Sequence, residues 1–563
     1  MANQTLKTKA DKSAIYLKSY PDYTKWDNDI EIFPMNELWE NSAKEYANNI
    51  LINFMGVEFT YGQIDNEIQL MASRLSKLGV KKGTHVGIFM ANTPWFVITY
   101  HAIIKLGGVV VNFNPLYPEN DLIHQVKDSE IELMVTLDLN ALCKKLTPLI
   151  GTGKLKQVLI TPFDEHLPAV KKVLFNIFKR KEIYKEQPSK TIHTIASIGS
   201  DLPTVKSAKV NVKDLAVLQY TGGTTGRSKG AMLSHANLSA NVSQCGHWFP
   251  IFNKGEEKVA TFLPLFHVFA MTVCMNFSIK NGAAMVMLPR FELKPALNAM
   301  KKAKGTMFPA VPTIFQAINA LPAKQLKKLD SLKIAMSGGA GLPADTKEKF
   351  ERLIGVEVVE GYGLSETAPV AAANPFNGKS KASCIGFPMP HTEISLRDLE
   401  NPDKQVPHGE RGEVCIRGPQ VMMGYWKNDK ANKDSFTKDG FFRTGDVAHF
   451  DNKGYCYIVD RIKDLILCGG FNVYPRSIED AILTHPDVLE VTVIGVPDDY
   501  RGERPKAFVK LVDGATLNKD DLIAFVKPKL SPMERTDDIE FRDELPKTII
   551  GKLSKKELRE ELK

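Results

Sequence analysis

The sequence predicts an α/β fold, with a large N-terminal domain of mixed and parallel sheets covered by helices and a small α+β C-terminal domain. At 563 residues, the chain exceeds the size at which one hydrophobic core usually stops growing, so two or more domains are expected. Through the first three-quarters, apolar strand-like runs alternate with amphipathic helical stretches, the pattern of sheets covered by helices. After residue 459 the elements become short and closely spaced, which indicates a separate compact domain.

The N-terminal strands are predicted from short apolar runs, and the helices from apolar residues spaced three and four apart. In the stretch 64–78, Ile64, Ile68 and Met71 fall on one helical face that would cover a sheet. The predicted strands cover 85–91, 107–113, 131–137 and 283–289. The C-terminal part is predicted as a helix over 476–484, strands over 488–496 and 506–512, a helix over 518–530, a strand over 539–542 and a lysine-rich final helix.

Charge and cysteine content exclude several classes of function. Lys and Arg number 73 against 65 Asp and Glu, a net charge of +8. This excess suits anionic ligands but is too diffuse for nucleic acid, and no zinc-finger or RNP-type pattern is present. The seven cysteines lie far apart without a CxxC pair. We therefore expect no nucleic-acid partner, no structural zinc and a reducing, cytoplasmic location.

One apolar stretch is long enough to span a bilayer. Residues 259–279 contain no acid and no formally charged base. Pro264, His267 and Asn276 interrupt the stretch, however, and the sequence favours a buried strand, a turn and a helix. The first twenty residues lack the apolar core of a signal peptide, and the last three are not a peroxisomal signal.

The segment 220–230, YTGGTTGRSKG, is the most informative part of the chain. Its glycines let successive N–H groups point at one anion, while hydroxyls and Lys229 add further donors. The Walker A pattern requires a Ser or Thr directly after the lysine, and here Gly230 stands there. An apolar run precedes the segment and a helical composition begins at His235, so we predict a polyphosphate-binding loop between a buried strand and a helix. The alternative is a flexible surface loop.

The loop resembles the phosphate loop of the adenylate-forming superfamily, which includes acyl-CoA synthetases, adenylation domains of peptide synthetases and luciferase. Four more blocks follow in the family's order: EGYGLSET at 360–367, FFRTGD at 441–446, VDRIKDLILCGGFNVYP at 459–475 and PKTIIGK at 546–552. The resemblance runs from about Phe59 to the C-terminus. It implies a nucleotide- and acyl-binding domain over 1–459, a hinge over 460–463 and a mobile C-terminal domain over 464–563.

The resemblance also implies how ATP and Mg²⁺ are bound. The phosphates are assigned to Thr221, Gly222, Gly223, Thr224, Thr225, Gly226 and Lys229. Adenine and the α-phosphate are assigned to Gly338, Gly339, Ala340, Glu360, Gly361, Tyr362, Gly363, Ser365 and Thr367. The ribose hydroxyls are assigned to Asp446 and Arg461, and Mg²⁺ to Glu366 and Thr224. A carboxylate next to hydroxyls suits Mg²⁺, which binds few protein ligands and keeps phosphate oxygens.

Catalysis is assigned to Lys552, Glu366 and Thr224. The ammonium of Lys552 is expected to bridge the incoming carboxylate and the α-phosphate. In the family the C-terminal domain then rotates and opens a path for the thiol of coenzyme A. The resemblance assigns the pivot to Lys463 and Asp464, and the close backbone approach to the pantetheine arm to Gly469 and Gly470.

The substrate is less closely determined by the sequence. Phe266, His267 and Val311 are candidates for an acyl pocket in apolar segments, and the signature at 439–472 is most similar to bacterial long-chain fatty acid–CoA ligases. An aryl-acid ligase is an alternative, because GEVCIRG at 412–418 resembles a coumarate ligase box. A medium-chain ligase, a luciferase and a non-catalytic nucleotide sensor are further alternatives, and a carrier-protein thiol could replace coenzyme A.

The segment 167–185 is not explained by the catalytic blocks. Its apolar residues recur at helical spacing and a basic rim accompanies them. Two interpretations are open: an ordinary helix packed on the protein, which is the commoner case, or a basic amphipathic helix in peripheral contact with an anionic membrane. The oligomeric state is also open, and a homodimer is one alternative.

Overall fold

The computed structural model describes residues 4–6, 14–185, 187–221, 227–376, 378–469, 471–547 and 553–562. By compactness the chain divides into two units. The first comprises the residues up to Lys381, Gly386–Glu393 and Gly418–Asp434. The second comprises Ala382–Ile385, Ile394–Arg417 and the residues from Ser435 onward. The hinge at 460–463 lies inside the second unit and stays a prediction.

The first unit is built on two large sheets. Its strands are β1 Gln4–Leu6, β2 Ile30–Ile32, β3 Ile50–Phe54, β4 Val57–Thr60, β5 His85–Phe89, β6 Val109–Asn112, β7 Leu133–Leu137, β8 Gln157–Thr161, β9 Ile192–Thr194, β10 Leu215–Thr221, β11 Lys229–Ser234, β12 Lys258–Thr261, β13 Ala284–Met287, β14 Met307–Ala310, β15 Ile334–Gly338, β16 Val358–Gly363, β17 Val370–Ala373 and β18 Phe387–Pro388. Within the described residues, one sheet has the order β11-β10-β6-β5-β7-β8-β9 and the other β18-β17-β16-β15-β14-β12-β13-β3-β4. Both are parallel in their centre, with antiparallel strands at edges.

Helices cover these sheets. They are α1 Met35–Glu45, α2 Tyr61–Lys77, α3 Pro94–Lys105, α4 Glu119–Ser129, α5 Asn140–Leu146, α6 Ala169–Phe178, α7 Ile195–Ile198, α8 His235–Trp248, α9 Phe277–Lys280, α10 Leu293–Ala303, α11 Pro312–Asn319, α12 Ala323–Leu326, α13 Ala344–Ile354 and α14 Asp429–Ser435. Every residue of α3 is buried, as expected of a helix that is apolar on all sides. By contrast, α6 buries none of its residues, so packing of its apolar face on the protein, the commoner of the two interpretations, is wrong.

The second unit contains two smaller sheets. Its elements are β19 Glu393–Arg397, β20 Gly412–Arg417, β21 Phe442–Phe450, β22 Cys456–Arg461, β23 Ile466–Cys468, β24 Phe471–Val473, α15 Pro475–Leu483, β25 Val488–Asp498, β26 Gly502–Leu511, α16 Lys519–Val526, β27 Asp538–Phe541 and α17 Lys555–Glu561. Over the described part of the chain, the sheet orders are β19-β20-β21-β22 and β24-β23-β26-β25, with β27 on β26. The predicted α/β class, with a large N-terminal domain and a small α+β C-terminal one, is confirmed.

The apolar stretch 259–279 folds as predicted. It begins in β12 and, after a turn, continues as a fully buried π-helix, Ala270–Asn276, and into α9. The π-helical winding was not predicted. Such turns are rare in proteins, and those that occur are often found at functional sites. Among the helices described here, none has the length and apolar character that crossing a membrane requires.

Three buried histidines make the first unit sensitive to acid. Burial lowers the pKa of His101 to about 3, and of His166 and His235 to about 4. Among the described atoms, neither ring nitrogen of His101 has a hydrogen-bond partner, whereas Nδ1 of His235 accepts the N–H of Met35 at 3.0 Å. In the unfolded chain the same histidines bind protons near pH 6.5. The free energy of unfolding therefore has its full value above that pH and falls as the pH drops toward 4.

We expect His101→Leu to reduce this acid sensitivity. The variant removes one proton acceptor of the unfolded state, so its stability relative to wild type should rise by up to about 1.4 kcal/mol per pH unit below pH 6.5. Thermal unfolding midpoints between pH 7.5 and 4.5 measure this, with the exposed His408→Leu as control. A pH-independent difference between His101→Leu and wild type would contradict the assignment.

Candidate active site

The predicted phosphate loop joins two antiparallel strands. Thr221, at the end of β10, pairs with Lys229, at the start of β11, and the hydroxyl of Thr221 donates to the carbonyl of Lys229 at 3.5 Å. The predicted phosphate contacts Gly222, Gly223, Thr224, Thr225 and Gly226 lie outside the described residues. The two ends of the loop therefore start from one hairpin.

The helix predicted from His235 is present, but a strand that was not predicted lies immediately before it. Residues 229–234 form β11, and α8 begins only at His235, where Ser234 and Asn237 cap its first turn. The short apolar run Ala231–Leu233 pairs with β10 rather than extending the helix. The N-terminus of α8 therefore does not support the prediction that the loop binds phosphate.

Tyr425 connects the loop to the block 360–367. Its hydroxyl donates to Oε1 of Glu366 at 2.7 Å, and its ring centre lies 4.8 Å from Nζ of Lys229. The chain around it runs beside β11, with the N–H of Trp426 donating to the carbonyl of Gly230 at 2.8 Å. The sequence analysis did not identify Tyr425, and only the Gly-Tyr-Trp run at 424–426 could have drawn attention to it. One aromatic side chain thus contacts both the predicted phosphate lysine and the predicted magnesium carboxylate.

The predicted adenine contacts lie at the carboxyl ends of two parallel strands. Gly338, the last residue of β15, pairs with Gly361 in β16. A Cβ on Gly338 would lie 3.0 Å from the ring of Phe269, and one on Gly363 would lie 1.8 Å from the carbonyl oxygen of Pro369. Close packing against backbone therefore requires glycine at 363, whereas a side chain at 338 would need the ring of Phe269 to shift. The structure brings together Gly338, Gly339, Ala340, Glu360, Gly361, Tyr362 and Gly363 at this edge, which is where ligands bind in α/β sheets.

The turn after β16 holds Glu366 in a buried position. Thr367 is fully buried, and its hydroxyl donates to the carbonyls of Leu364, at 3.2 Å, and of Pro369. The main-chain carbonyl of Glu366 accepts the N–H of Met422 at 2.8 Å. Thr367 thus shapes the turn that carries Glu366. Contact of Ser365 and Thr367 with an α-phosphate stays a prediction.

The candidate acyl residues lie next to β10. The side chain of Gln219 donates to the carbonyl of Phe266 at 3.1 Å and accepts from Asn112 at 3.0 Å. Phe266 and His267 are half-buried, and Val311 is buried immediately before α11. The turn containing Phe266 and His267 is therefore fixed to the strand that leads into the phosphate loop.

In the second unit, the two predicted ribose contacts lie side by side. Asp446 in β21 and Arg461 in β22 are paired across the sheet, and Nε of Arg461 lies 2.9 Å from Oδ1 of Asp446. The Asp446 side chain is 4% exposed and that of Arg461 is 47% exposed. The guanidinium therefore orients a carboxylate that keeps a small accessible edge.

The predicted pivot is tied to the C-terminal helix. Asp464 pairs with Arg559 of α17 at 3.0 Å. Lys555 of the same helix pairs with Glu479 at 2.9 Å. Burial, aided by the positive charge of Arg461, lowers the pKa of Lys463 to about 8. The two ion pairs tie α17 to the predicted pivot and to α15.

The predicted catalytic and thiol-site residues are described only in part. Lys552 and Gly470 lie outside the described residues. The described residues on the two sides of Lys552 pair with each other. Lys547 forms an antiparallel β-bridge with Leu553, and the N–H of Ser554 donates to the carbonyl of Pro546 at 2.8 Å. Gly469 has φ +58°, a value that favours glycine.

The sequence is similar to known proteins over nearly its full length. The sequence model described as "AMP-binding enzyme" matches residues 39–426, and the one described as "AMP-binding enzyme C-terminal domain" matches residues 477–552. A long-chain-fatty-acid–CoA ligase of Bacillus subtilis (strain 168) is 38% identical over 550 residues, which cover 97% of this chain and 98% of the relative. One from Escherichia coli O157:H7 is 36% identical over 559 residues, with the same two shares.

Two solved structures are similar in fold. ATP-bound MatB from Rhodopseudomonas palustris aligns with a TM-score of 0.82 and 28% identity, covering 94% of this chain and 99% of that one. The anthranilate CoA ligase AuaEII in complex with anthranoyl-AMP aligns with a TM-score of 0.83 and 24% identity, covering 94% and 97%. At that lower identity the second likeness concerns the fold alone.

Proposed function

The chain belongs to the AMP-binding enzyme family, and from this premise we propose that it is an ATP-dependent long-chain fatty acid–CoA ligase. The observation that carries the proposal is identity of 38% and 36%, over nearly the full length of both chains, to proteins named long-chain-fatty-acid–CoA ligases. The chain is thus an acid–thiol ligase that uses ATP. Its preference for long-chain acids is the finer part of the proposal.

The reaction would proceed in two half-reactions. In the first, the fatty acid carboxylate attacks the α-phosphorus of ATP, forming acyl-adenylate and releasing pyrophosphate. In the second, the thiol of coenzyme A attacks the acyl carbon, so that a thioester forms, AMP leaves with the bonding electron pair and the thiol proton is released. Both partners of the first step are anionic, and the site must therefore cancel charge while it aligns them.

The residues present fit a magnesium ion carried in with ATP. Mg²⁺ usually takes one or two protein carboxylates and completes its shell with phosphate oxygens and water. Within the described residues no group of three or more His, Cys, Asp or Glu could hold a metal, so a resident all-protein site is not proposed. We assign one carboxylate ligand, Glu366, which Tyr425 orients, and we keep Thr224 as the hydroxyl ligand that the resemblance implies. When bound, the ion would neutralise phosphate charge.

We assign the nucleotide contacts to residues of both units. Gly338 and Gly361 lie at the carboxyl ends of β15 and β16, where ligands bind in α/β sheets, and Tyr362 of the same edge would stack on the base. The carboxylate of Asp446 would accept both ribose hydroxyls, with Arg461 holding it in place. The ammonium of Lys552 would bridge the carboxylate and the α-phosphate, which stabilises the charge that develops in the first half-reaction.

The acyl chain and the compartment are assigned on softer grounds. The PLFH turn with Phe266 and His267 is fixed to β10 through Gln219, so we assign it to the acyl entrance and Val311 to the pocket wall. All seven cysteines are buried thiols, as in proteins of reducing compartments. We therefore place the enzyme in the cytoplasm.

One experiment separates the candidate functions. Pyrophosphate release is measured with palmitate, octanoate and 4-coumarate, each with and without coenzyme A. We expect the highest kcat/KM with palmitate and acyl-CoA formation only when coenzyme A is present. A preference for octanoate would indicate a medium-chain ligase and a preference for 4-coumarate an aryl-acid ligase. No pyrophosphate with any acid would contradict an enzymatic function.

Tyr425 gives a test of the magnesium assignment. Tyr425→Phe removes the hydrogen bond to Glu366 but keeps the ring below Lys229, and we expect about a tenfold lower kcat/KM for ATP, the effect of one hydrogen bond to a charged group. Tyr425→Leu also removes the cation–π contact and should lower the value by a further few-fold. Both variants should require more Mg²⁺ for half-maximal rate.

The control for this series is Tyr500→Phe, because the Tyr500 side chain is almost fully exposed. It should behave as wild type in both its ATP and its Mg²⁺ dependence. If Tyr425→Phe has a lower kcat at every Mg²⁺ concentration but an unchanged Mg²⁺ requirement, then Tyr425 does not act through the magnesium carboxylate.

A further inference from the structure

Helix α6 carries its apolar residues on the side that faces solvent. Its outer face consists of residues spaced three and four apart, which form one stripe of a helix, and each is between 47% and 75% exposed. These residues are Val170, Val173, Leu174, Ile177 and Phe178. Scattered exposed apolar side chains are ordinary, but a contiguous patch on one element marks an interaction surface.

The opposite side of α6 holds the helix on the protein through mostly polar contacts. The amide of Asn176 donates to Oδ2 of Asp164 at 2.7 Å, and Nζ of Lys172 lies 3.8 Å from the same oxygen. Phe175 adds a ring contact to Phe163, with ring centres 5.1 Å apart. The usual arrangement of a surface helix, apolar side inward and polar side outward, is therefore inverted.

Both ends of the segment are fixed, so the outer face is presented on a defined scaffold. Before the helix, Leu167 is buried. After it, the side chain of Asn140 donates to the carbonyl of Lys181 at 2.8 Å, and the N–H of Tyr184 donates to the carbonyl of Asp138 at 2.9 Å. The exposed stripe is thus part of the folded unit.

The charge around the outer face is mostly positive, which indicates an anionic partner. Between residues 169 and 185 there are six basic residues and one acidic residue, Glu182. Lys171, Lys179, Arg180 and Lys181 are exposed, and Glu182 pairs with Lys179 at 2.5 Å. An apolar stripe flanked by basic side chains complements a surface that is apolar beneath and anionic at its head groups.

We propose that the outer face of α6 binds the surface of a bilayer that contains anionic lipids, with its apolar side chains in the interfacial region and its basic side chains on the phosphates. The face shares no residue with the nucleotide site, and the inference does not depend on the proposed reaction. For an enzyme acting on lipid acids, such a contact would place it where its substrate is concentrated.

Vesicle binding of the full-length protein tests the proposal without ATP, fatty acid or coenzyme A. The probes are vesicles of phosphatidylcholine alone and of phosphatidylcholine with about one-third phosphatidylglycerol. We expect wild type to bind the anionic vesicles and to lose binding as salt rises. The double variant Ile177→Ser, Phe178→Ser should bind about tenfold or more weakly. The triple variant Lys179→Gln, Arg180→Gln, Lys181→Gln should lose about as much on anionic vesicles at low salt.

Matched controls remove the same number of exposed apolar residues and of positive charges elsewhere in the first unit. Leu116→Ser with Ile251→Ser replaces two other exposed apolar residues, and Lys294→Gln, Lys301→Gln and Lys302→Gln remove three exposed charges. Both controls should bind vesicles like wild type, and all variants should keep the wild-type thermal midpoint. Wild-type binding equal to that of the α6 variants would overturn the proposal. So would a shift of the Ile177, Phe178 variant from dimer to monomer with unchanged vesicle binding, because a second copy of the chain would then cover the face.

Discussion

Lys552→Ala is expected to lower the rate of acyl-adenylate formation by about two or more orders of magnitude, the scale of one lost transition-state contact. The ammonium would act only while the carboxylate attacks the α-phosphorus, since that is where negative charges meet. Thioester formation from supplied acyl-adenylate should therefore stay within about threefold of wild type. Single-turnover assays of the two half-reactions measure both quantities.

The neighbouring lysine provides the control for this variant. Lys556 lies in α17, its side chain is 61% exposed and it pairs with Glu560 at 3.8 Å. Lys556→Ala removes the same charge from the same segment and should leave both half-reactions unchanged. Equal loss of both half-reactions in Lys552→Ala would show that Lys552 supports the fold or the nucleotide in general, and the division of labour would be wrong.

Asp446→Asn is expected to slow both half-reactions, each by about a hundredfold. The AMP moiety is present in ATP and in the acyl-adenylate, so a ribose contact is needed throughout. The loss corresponds to about 3 kcal/mol, the order of one or two hydrogen bonds to a charged group. The variant also removes the charge opposite Arg461, which lies 2.9 Å away. Rates of both half-reactions and the KM for ATP measure the effect.

The contrast between the two variants is informative. Asp513→Asn changes an exposed carboxylate of the same unit and should have wild-type kinetics. If Asp446→Asn spares the second half-reaction, Asp446 does not hold the ribose in the thioester-forming state. The proposed roles require that Lys552→Ala slows only the first half-reaction, whereas Asp446→Asn slows both.

The elements of this fold that were predicted correctly are those with a local signal. The strand at His85–Phe89 and the helix at Tyr61–Lys77 follow from apolar runs and from apolar spacing within a few residues. The strand Lys229–Ser234 was missed because its apolar core is three residues long and a helix follows at once. Its pairing with β10 is what makes it a strand, and the sequence does not display that pairing.

In the candidate site, too, the residues within a local motif were predicted and those that depend on distant contacts were not. The glycine edge and the Asp446–Arg461 pair were assigned through blocks that resemble a family, and the structure adds their geometry. Tyr425 was missed because it lies 59 residues along the chain from Glu366 and has no motif of its own. The outward apolar face of α6 was visible as a pattern, but only the structure shows that its polar side faces the protein.

The central claim is that the chain activates a fatty acid as its adenylate before any thiol is needed. Exchange of labelled pyrophosphate into ATP, measured without coenzyme A, tests this claim directly. We predict exchange that requires both Mg²⁺ and a long-chain fatty acid and that Lys552→Ala lacks. Absence of exchange until coenzyme A is added, or exchange that is independent of the acid, would contradict it.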